Sequence, residues 1–266
     1  MSEKLKALIE VSILETVFFI IAWFFEAVLG NGYGWYSKSV MIILALLGLV
    51  VHGFRGRYNP MPKNLVFSLK WSAAIGVLFL FDILVALILS LFLGSFKAPN
   101  IYGILVDLVW FMVFVGFAEE LFFRGYIQER LNDAFSERFK SILGVKFEWH
   151  QGTLIAGVMF FGIPHLLVAW NPFTGRLALS ATIVAVAVSA SFMGVIWGVL
   201  KEKTGGVILP AVFHGLLDFS VFGVGQMTGM LASGIASGIG VFVFFAFLFE
   251  KILHSDNSVV KEHALS

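Results

Sequence analysis

Long runs of apolar residues, separated by short polar connections, dominate this chain. A helix needs roughly 20 mainly apolar residues to cross ~30 Å of hydrocarbon. Eight runs reach or approach this length: Ala7–Leu29, Lys38–Phe54, Trp71–Phe96, Ile101–Phe123, Gly152–Trp170, Ala178–Leu200, Val207–Met227 and Met230–Phe249. The pattern predicts an all-α polytopic membrane protein with eight transmembrane helices around a conical or bundled core.

The composition agrees with a chain that is dissolved in lipid. Of its 266 residues, 59% are hydrophobic and only 13% are charged, whereas soluble domains carry about 25% charge. The absence of cysteine excludes disulfide scaffolds, thiol catalysis and cysteine-ligated zinc. The net charge of +1, without a basic block, argues against a nucleic-acid partner and leaves membrane lipid as the surroundings.

The basic residues predict the orientation of the chain. With the N-terminus in the cytoplasm, most Lys and Arg residues fall in cytoplasmic loops, and only Lys38, Lys97 and Arg176 fall outside. This asymmetry is what the positive-inside rule expects when both termini are cytoplasmic. We therefore expect one integral membrane domain over residues 1–266, with a flexible cytoplasmic tail from 251 to 266.

The long connection after the fourth run is both charged and periodic. Apolar residues recur at helical spacing in the segment Gln128–His150, at Leu131, Phe135, Phe139 and Ile142. Charged residues fill the positions between them. The pattern predicts an amphipathic helix that lies on the cytoplasmic interface.

Ionisable residues within the spans are candidates for function because charges in hydrocarbon are costly. Three spans carry a cluster of such residues. Its members are Glu119, Glu120 and Arg124 on the fourth span, His165 on the fifth, and His214 and Asp218 on the seventh. Three helices of a bundle can meet, so these residues form one candidate site.

Helical geometry divides the cluster further. Glu120 and Arg124 lie four residues apart and are expected to form an ion pair. Glu119 points about 100° away and is expected to stay unpaired, which suits a group that transfers protons. His214 and Asp218 again share one face.

The fifth span is expected to be distorted. Pro164 cannot donate a backbone hydrogen bond and disturbs the preceding turn, which opens room for water beside His165. Counted along the predicted spans, His165 lies deeper than Glu119, which sits near the predicted inner end of the fourth helix. The sequence does not resolve this mismatch.

These residues form three motifs of one known family. The chain resembles the CPBP family of CAAX-protease and bacteriocin-processing membrane proteins, which has Glu-Glu-x-x-x-Arg, Phe-x-x-x-His and His-x-x-x-Asn/Asp motifs on successive helices. The matching residues lie between 118 and 218: Glu119, Glu120 and Arg124, then Phe161 and His165, then His214 and Asp218.

The resemblance implies an intramembrane endopeptidase that cuts a peptide bond near the cytoplasmic membrane face. By position, Glu119 is the general base, assisted by His165, and His214 stabilises the oxyanion with Asp218 beside it. Glu120 is the structural partner of Arg124. The substrate is a protein or a lipidated peptide, including prenylated CAAX sequences that lose their C-terminal tripeptide.

Several alternatives remain open at this stage. An ionised Asp218 cannot donate a hydrogen bond to an oxyanion, so it is either protonated, orients His214 or binds a metal. Glu119, His165, His214 and Asp218 also form an oxygen and nitrogen ligand set for zinc, although a mechanism without a cofactor is preferred. A transporter, or a non-catalytic immunity or binding protein on the same fold, would use similar buried groups. The sequence leaves the oligomeric state open.

Overall fold

Eight helices form the bulk of the structure, a computed structural model that describes residues 1–30, 34–53 and 58–257. Seven of them are long and apolar enough to cross a membrane. In chain order the eight helices are α1 (Glu3–Leu29), α2 (Trp35–Gly53), α3 (Leu65–Phe92), α4 (Ile101–Ala134), α5 (Gln151–Ala169), α6 (Ala181–Thr204), α7 (Ile208–Thr228) and α8 (Met230–His254). The prediction of an all-α polytopic membrane protein is confirmed.

The predicted number of spans is corrected from eight to seven. The apolar part of α2 covers Trp35–Val51, which at 1.5 Å per residue is about 26 Å and falls short of the ~30 Å hydrocarbon layer. The predicted end of this span, Phe54, lies outside the described residues. Its predicted start, Lys38, lies one turn inside the helix.

The outer faces of the helices carry large apolar side chains that none of the described residues covers. Ile13, Val66 and Phe92 are examples from the two longest early helices, and Phe92 is 85% exposed. In water, apolar patches of this extent would drive association, whereas in a bilayer they contact lipid tails. The exposed faces therefore support a membrane location independently of the helix lengths.

The predicted amphipathic helix Gln128–His150 is wrong. Residues Gln128–Ala134 instead continue α4, and an antiparallel hairpin follows, with strands β1 (Arg138–Ile142) and β2 (Val145–His150). Its two-residue turn has positive φ at both Leu143 and Gly144, as tight hairpins require.

Strand β2 carried a sequence signal for the hairpin. Val145, Phe147 and Trp149 alternate with polar residues, which is the period of a strand. The ring of Trp149 packs against Phe139 on β1, with ring centroids 4.7 Å apart. The apparent helical spacing joined Leu131 of α4 to Phe139 and Ile142 of strand β1.

Ion pairs hold the bundle together where α4 meets the hairpin. Arg130 pairs with Glu10 of α1, Lys201 of α6 pairs with Glu129, and the Nδ1 atom of His150 lies 2.8 Å from Glu202. We call these three pairs the polar-end cluster. The first two fix the extension of α4 against α1 and α6, and the third joins the end of β2 to α6.

The phenol of Tyr58, in the connection before α3, also binds this end of α4. Its hydroxyl donates a 2.9 Å hydrogen bond to Asp133. Burial, together with this bond, raises the pKa of Tyr58, so that the hydroxyl keeps its proton and remains a donor.

The opposite end of the bundle is held by a second, very short hairpin, β3 (Trp170–Asn171) and β4 (Arg176–Leu177). Asn171 donates a 2.7 Å hydrogen bond to Glu26 at the end of α1, and Arg176 pairs with the same carboxylate. The hairpin therefore joins the end of α5 to the end of α1.

The predicted tail starts later than expected. Helix α8 continues to His254, with Ile252 and Leu253 buried against the bundle. Residues 258–266 lie outside the described residues. Residues 251–254 are thus helical, and the flexibility of the tail stays a prediction.

Candidate active site

The backbones of α4 and α7 lie in contact beside the candidate site. A Cβ atom on Gly215 would lie 2.8 Å from the backbone oxygen of Phe111, closer than real Cβ atoms come. Because glycine stands at this position, the two helices approach closely. His214, the neighbour of Gly215, is thereby brought to the carboxylates of α4.

The predicted ion pair between Glu120 and Arg124 is confirmed. The Nη1 atom of Arg124 lies 3.2 Å from Oε1 of Glu120, and both side chains are buried. The Nη2 atom of Arg124 donates a 3.1 Å hydrogen bond to the backbone oxygen of Gly194 on α6. The pair therefore links α4 to α6 as well as holding Glu120.

Glu120 has a second partner that the sequence did not reveal. Its Oε1 atom lies 2.9 Å from Nδ1 of His214. A carboxylate beside an arginine accepts hydrogen bonds, so the Nδ1–H group of His214 is the donor. This contact fixes the ring of His214 and turns its Nε2 atom toward Glu119 and Asp218.

Nε2 of His214 therefore faces two carboxylates. It lies 3.9 Å from Oε2 of Glu119 and 3.6 Å from Oδ2 of Asp218. The expectation that His214 and Asp218 share one helix face is confirmed. Since Nδ1–H is used by Glu120, Nε2 donates a hydrogen bond only when the ring is the imidazolium.

Glu119 is not the unpaired carboxylate that the sequence predicted. Its Oε1 atom is hydrogen-bonded and ion-paired to the ammonium group of Lys38 on α2, and both side chains are about nine-tenths buried. Helix geometry correctly predicted that Glu119 points away from Arg124. It could not predict the contact with Lys38, which lies 81 residues earlier in the chain.

His165 reaches the site from the distorted end of α5. A wider π-helical stretch over Ala156–Gly162 gives way to a tighter 3₁₀ helix over Ile163–Ala169, which has Pro164 in its first turn. The Nδ1 atom of His165 lies 2.7 Å from the backbone oxygen of Phe161. Because that oxygen only accepts, Nδ1 carries the proton and the Nε2 lone pair of a neutral ring is available.

Aromatic rings pack around the charged groups. The guanidinium of Arg124 lies 4.0 Å from the ring centroid of Phe161, and Phe161 contacts both His165 and His214 edge to face. Trp197 of α6 stacks on His214 with a centroid separation of 4.0 Å. These rings fix the orientation of both imidazoles and exclude solvent from the ion pair.

One cavity of about 210 Å³ brings the predicted residues from α4 and α5 together. Its polar lining consists of Lys38, Glu119 and His165. The remaining lining is apolar and comprises Phe18, Phe19, Met41, Phe123, Phe161, Pro164 and Val168. Among the described residues that line the cavity, neither His214 nor Asp218 is present. His214 lies behind Glu119, and Asp218 lies behind His214.

The mismatch in depth disappears because α4 is longer than predicted. It ends at Ala134, so Glu119 is 15 residues, or about 22 Å, from that end rather than close to it. His165 is 14 residues beyond the start of α5 at Gln151, which the contact between Gly152 and Asn132 places beside the end of α4. Both side chains therefore lie at a similar depth.

The proposed ligand set does not fit a zinc ion in this geometry. Across residues 1–30, 34–53 and 58–257, no three His, Asp or Glu side chains converge in an arrangement that could hold a metal ion. The zinc alternative therefore gains no support from the positions of its four ligands.

Two residues of the site were missed by the sequence interpretation. Lys38 was counted as a loop residue because it begins an apolar run, although a lysine inside a membrane helix is itself a signal. Trp197 carried no signal, since one tryptophan in an apolar helix is ordinary.

The fold and the site together define a multi-span membrane protein with a buried Glu/His cluster. Residues 101–220 match the family described as type II CAAX prenyl endopeptidase Rce1-like. The chain thus carries a domain of the Rce1-like CAAX prenyl endopeptidase family, which is a family of intramembrane proteases. No curated protein and no solved structure matches the chain significantly.

Proposed function

We propose that this chain is an intramembrane endopeptidase that hydrolyses a peptide bond with a water molecule activated by Glu119 and His165. The observation that carries the proposal is the convergence of these two side chains, from α4 and α5, on one mainly apolar cavity. A carboxylate and an imidazole with a free lone pair are the groups that activate water in the absence of a metal.

The reaction proceeds in two steps. The water gives a proton to Glu119 while its oxygen attacks the scissile carbonyl carbon, which forms a tetrahedral oxyanion. Collapse of the oxyanion breaks the C–N bond, and Glu119 passes its proton to the leaving amine. The products are a new carboxylate and a new amine.

His214 stabilises the oxyanion in this proposal. Its Nδ1–H is fixed by Glu120, so the imidazolium directs its Nε2–H toward the side of Glu119 where the oxyanion forms. A preorganised donor of this kind contributes about 3 kcal/mol to transition-state stabilisation. In this proposal Asp218, 3.6 Å from the same nitrogen, helps to orient the ring of His214.

The substrate proposed here is a membrane-tethered peptide, including prenylated CAAX peptides that would lose the C-terminal tripeptide. The apolar lining, with Phe18, Phe19 and Met41 at the side of α1 and α2, suits a lipidated or hydrophobic chain. A free soluble peptide would gain little from such a surface.

The test is cleavage by the purified chain in proteoliposomes. A panel of tethered peptides with and without a prenyl group is analysed by mass spectrometry, which identifies the bond that is cut. Glu119→Gln should abolish cleavage. Glu15→Gln, which changes a buried carboxylate on α1 that does not line the cavity, should retain it.

Two results would overturn the proposal. Cleavage by Glu119→Gln at the wild-type rate would remove its general base. Absence of cleavage by the wild type, together with substrate uptake into the vesicles or binding without turnover, would favour the transporter or the immunity protein instead.

We also propose that both termini and the polar-end cluster face the cytoplasm, following the distribution of basic residues. Seven spans alone would put the two termini on opposite sides, so this orientation requires α2, short as it is, to return the chain to the cytoplasmic side. In support, α2 runs along α4, with Trp35 beside Trp110 at one end and Gly48 beside Tyr126 at the other. The chain has no cysteine, so single-cysteine variants can be labelled directly. Ser2→Cys should react with an impermeant thiol reagent only from the cytoplasmic side, and Lys97→Cys only from the other side. The reverse pattern would contradict this orientation, and with it the prediction of a cut near the cytoplasmic face.

A further inference from the structure

Helix α2 lies outside the matched residues 101–220 and carries none of the three motifs, yet it supplies a charged group to the cavity. We infer that Lys38 is a positioning residue for Glu119: its ammonium compensates the charge of the general base and fixes the direction of its carboxylate. This inference rests on the proposed function, in which Glu119 activates water.

The contacts of Glu119 show what Lys38 does. Oε1 of Glu119 is held by Lys38, while Oε2 faces His214 at 3.9 Å. Lys38 therefore anchors Oε1, and Oε2 stays directed at His214, the group that is proposed to act on the substrate. A carboxylate between Phe18, Phe123 and Phe161 without a counter-charge would be strongly disfavoured, because a charge in apolar surroundings is costly unless it is paired.

The position of Lys38 is itself fixed by packing. Trp35, one turn earlier in α2, contacts Trp110 and Phe114 of α4, with ring centroids 5.1 and 4.5 Å apart. Close contact of Gly48 with the ring of Tyr126 holds the other end of α2 against α4. Lys38 thus projects from a helix that is clamped at both ends to the helix that carries Glu119.

The chain offers a matched control for a buried ion pair. Lys201 is 3% exposed and Lys38 is 7% exposed, and each is paired with a glutamate of α4. The pair of Lys201 with Glu129 belongs to the polar-end cluster and lines no part of the cavity around Glu119. An effect of losing any buried pair would appear at both lysines, whereas a positioning effect would appear only at Lys38.

The first experiment measures kcat and KM of three variants on a cleaved tethered peptide. Lys38→Met should lower kcat at least about 30-fold and leave KM within about threefold, because the base is misplaced while the substrate surface is intact. Lys38→Arg should recover most of kcat, since a guanidinium also pairs with a carboxylate. Lys201→Met should keep kcat within about threefold of the wild type.

The second experiment is a chemical rescue. In Lys38→Ala, ethylammonium should restore part of kcat as its concentration rises, because it can enter the vacated space and pair with Glu119. Tetramethylammonium at the same ionic strength has no N–H group and should not restore activity. A purely structural defect would respond to neither cation.

Each outcome has a definite meaning. Wild-type kcat in Lys38→Met, or an equal loss in Lys201→Met, would overturn the inference. A raised KM at unchanged kcat would also overturn it, because Lys38 would then bind substrate rather than Glu119. Normal cleavage by Glu119→Gln would refute the proposed function itself, and cleavage lost in Glu119→Gln but retained in Lys38→Met would refute only the role of Lys38.

Discussion

Two regions of this protein contain buried ion pairs, the cavity and the polar-end cluster, and they differ in what surrounds the charges. In the polar-end cluster, Glu129 and Glu202 line a pocket at the end of the bundle whose other lining residues are mostly polar. At the cavity, Glu119 and Lys38 stand among aromatic rings in the interior. Burial of charge alone therefore does not identify the candidate active site. The apolar cavity beside the charge does.

The comparison also concerns the two histidines that contact glutamates. His214 is fixed by Glu120 and stacked on Trp197, whereas His150 is partly exposed and bonded to Glu202. A ring clamped on two sides suits a group that must meet a transition state. A ring at a helix start serves to join two elements.

The largest effect is expected when the histidine that lines the cavity is removed. His165→Ala should lower kcat by about 10²–10⁴-fold, the range for loss of a group that assists proton transfer. His150→Ala should stay within about twofold of wild-type kcat, since it lies at the polar-end cluster. The measurement is initial cleavage rate by mass spectrometry. Similar losses in both variants would abolish the distinction between the regions.

A smaller effect on kcat, together with a loss of stability, is expected when Glu120 is changed. Glu120→Gln leaves Arg124 without its charge partner and weakens the hold on His214, so it should cost about 3–5 kcal/mol of stability and also lower kcat. Glu202→Gln should cost only about 1 kcal/mol and leave kcat unchanged. Unfolding in detergent, followed by tryptophan fluorescence, measures the first quantity. A stable Glu120→Gln with normal kcat would contradict the clamp.

Asp218 should show a mild effect because it lies behind His214 rather than on the cavity. Asp218→Asn preserves the shape and can donate or accept a hydrogen bond, so kcat should remain within about threefold of the wild type. A loss as large as that of His165→Ala would give Asp218 a direct part in the chemistry.

The smallest effect is expected from metal removal. Activity should survive strong chelators, and dialysed protein should contain no stoichiometric zinc by elemental analysis, because no three of the four candidate ligands are placed to hold a metal ion. Chelator-sensitive cleavage that is restored by zinc alone would revive the metal alternative.

Part of the site could be predicted because it depends on helix geometry alone. Four residues on a helix span about one turn, so the pairs Glu120–Arg124 and His214–Asp218 follow from spacing. The family resemblance, which the match to residues 101–220 confirms, added that these helices belong together. The roles of the individual residues remain predictions.

Other features could not be predicted because the same sequence pattern was compatible with two different structures. Leu131, Phe135 and Phe139 have helical spacing, yet Leu131 lies in a helix that ends before Phe135, and Phe139 lies in a strand. The error shortened α4 and misplaced Glu119 in depth. Similarly, the second apolar run resembled a full span, although the apolar part of α2 covers only Trp35–Val51.

The sequence by itself determined the lipid environment, the helical class and the residues that could carry chemistry, since these depend on composition and on contacts within a few residues. Only the tertiary structure decided that Lys38 meets Glu119 and that Trp197 stacks on His214. Such contacts depend on how helices far apart in the chain pack against one another, and the packing is set by glycine approaches and aromatic contacts spread over several helices rather than by any local pattern.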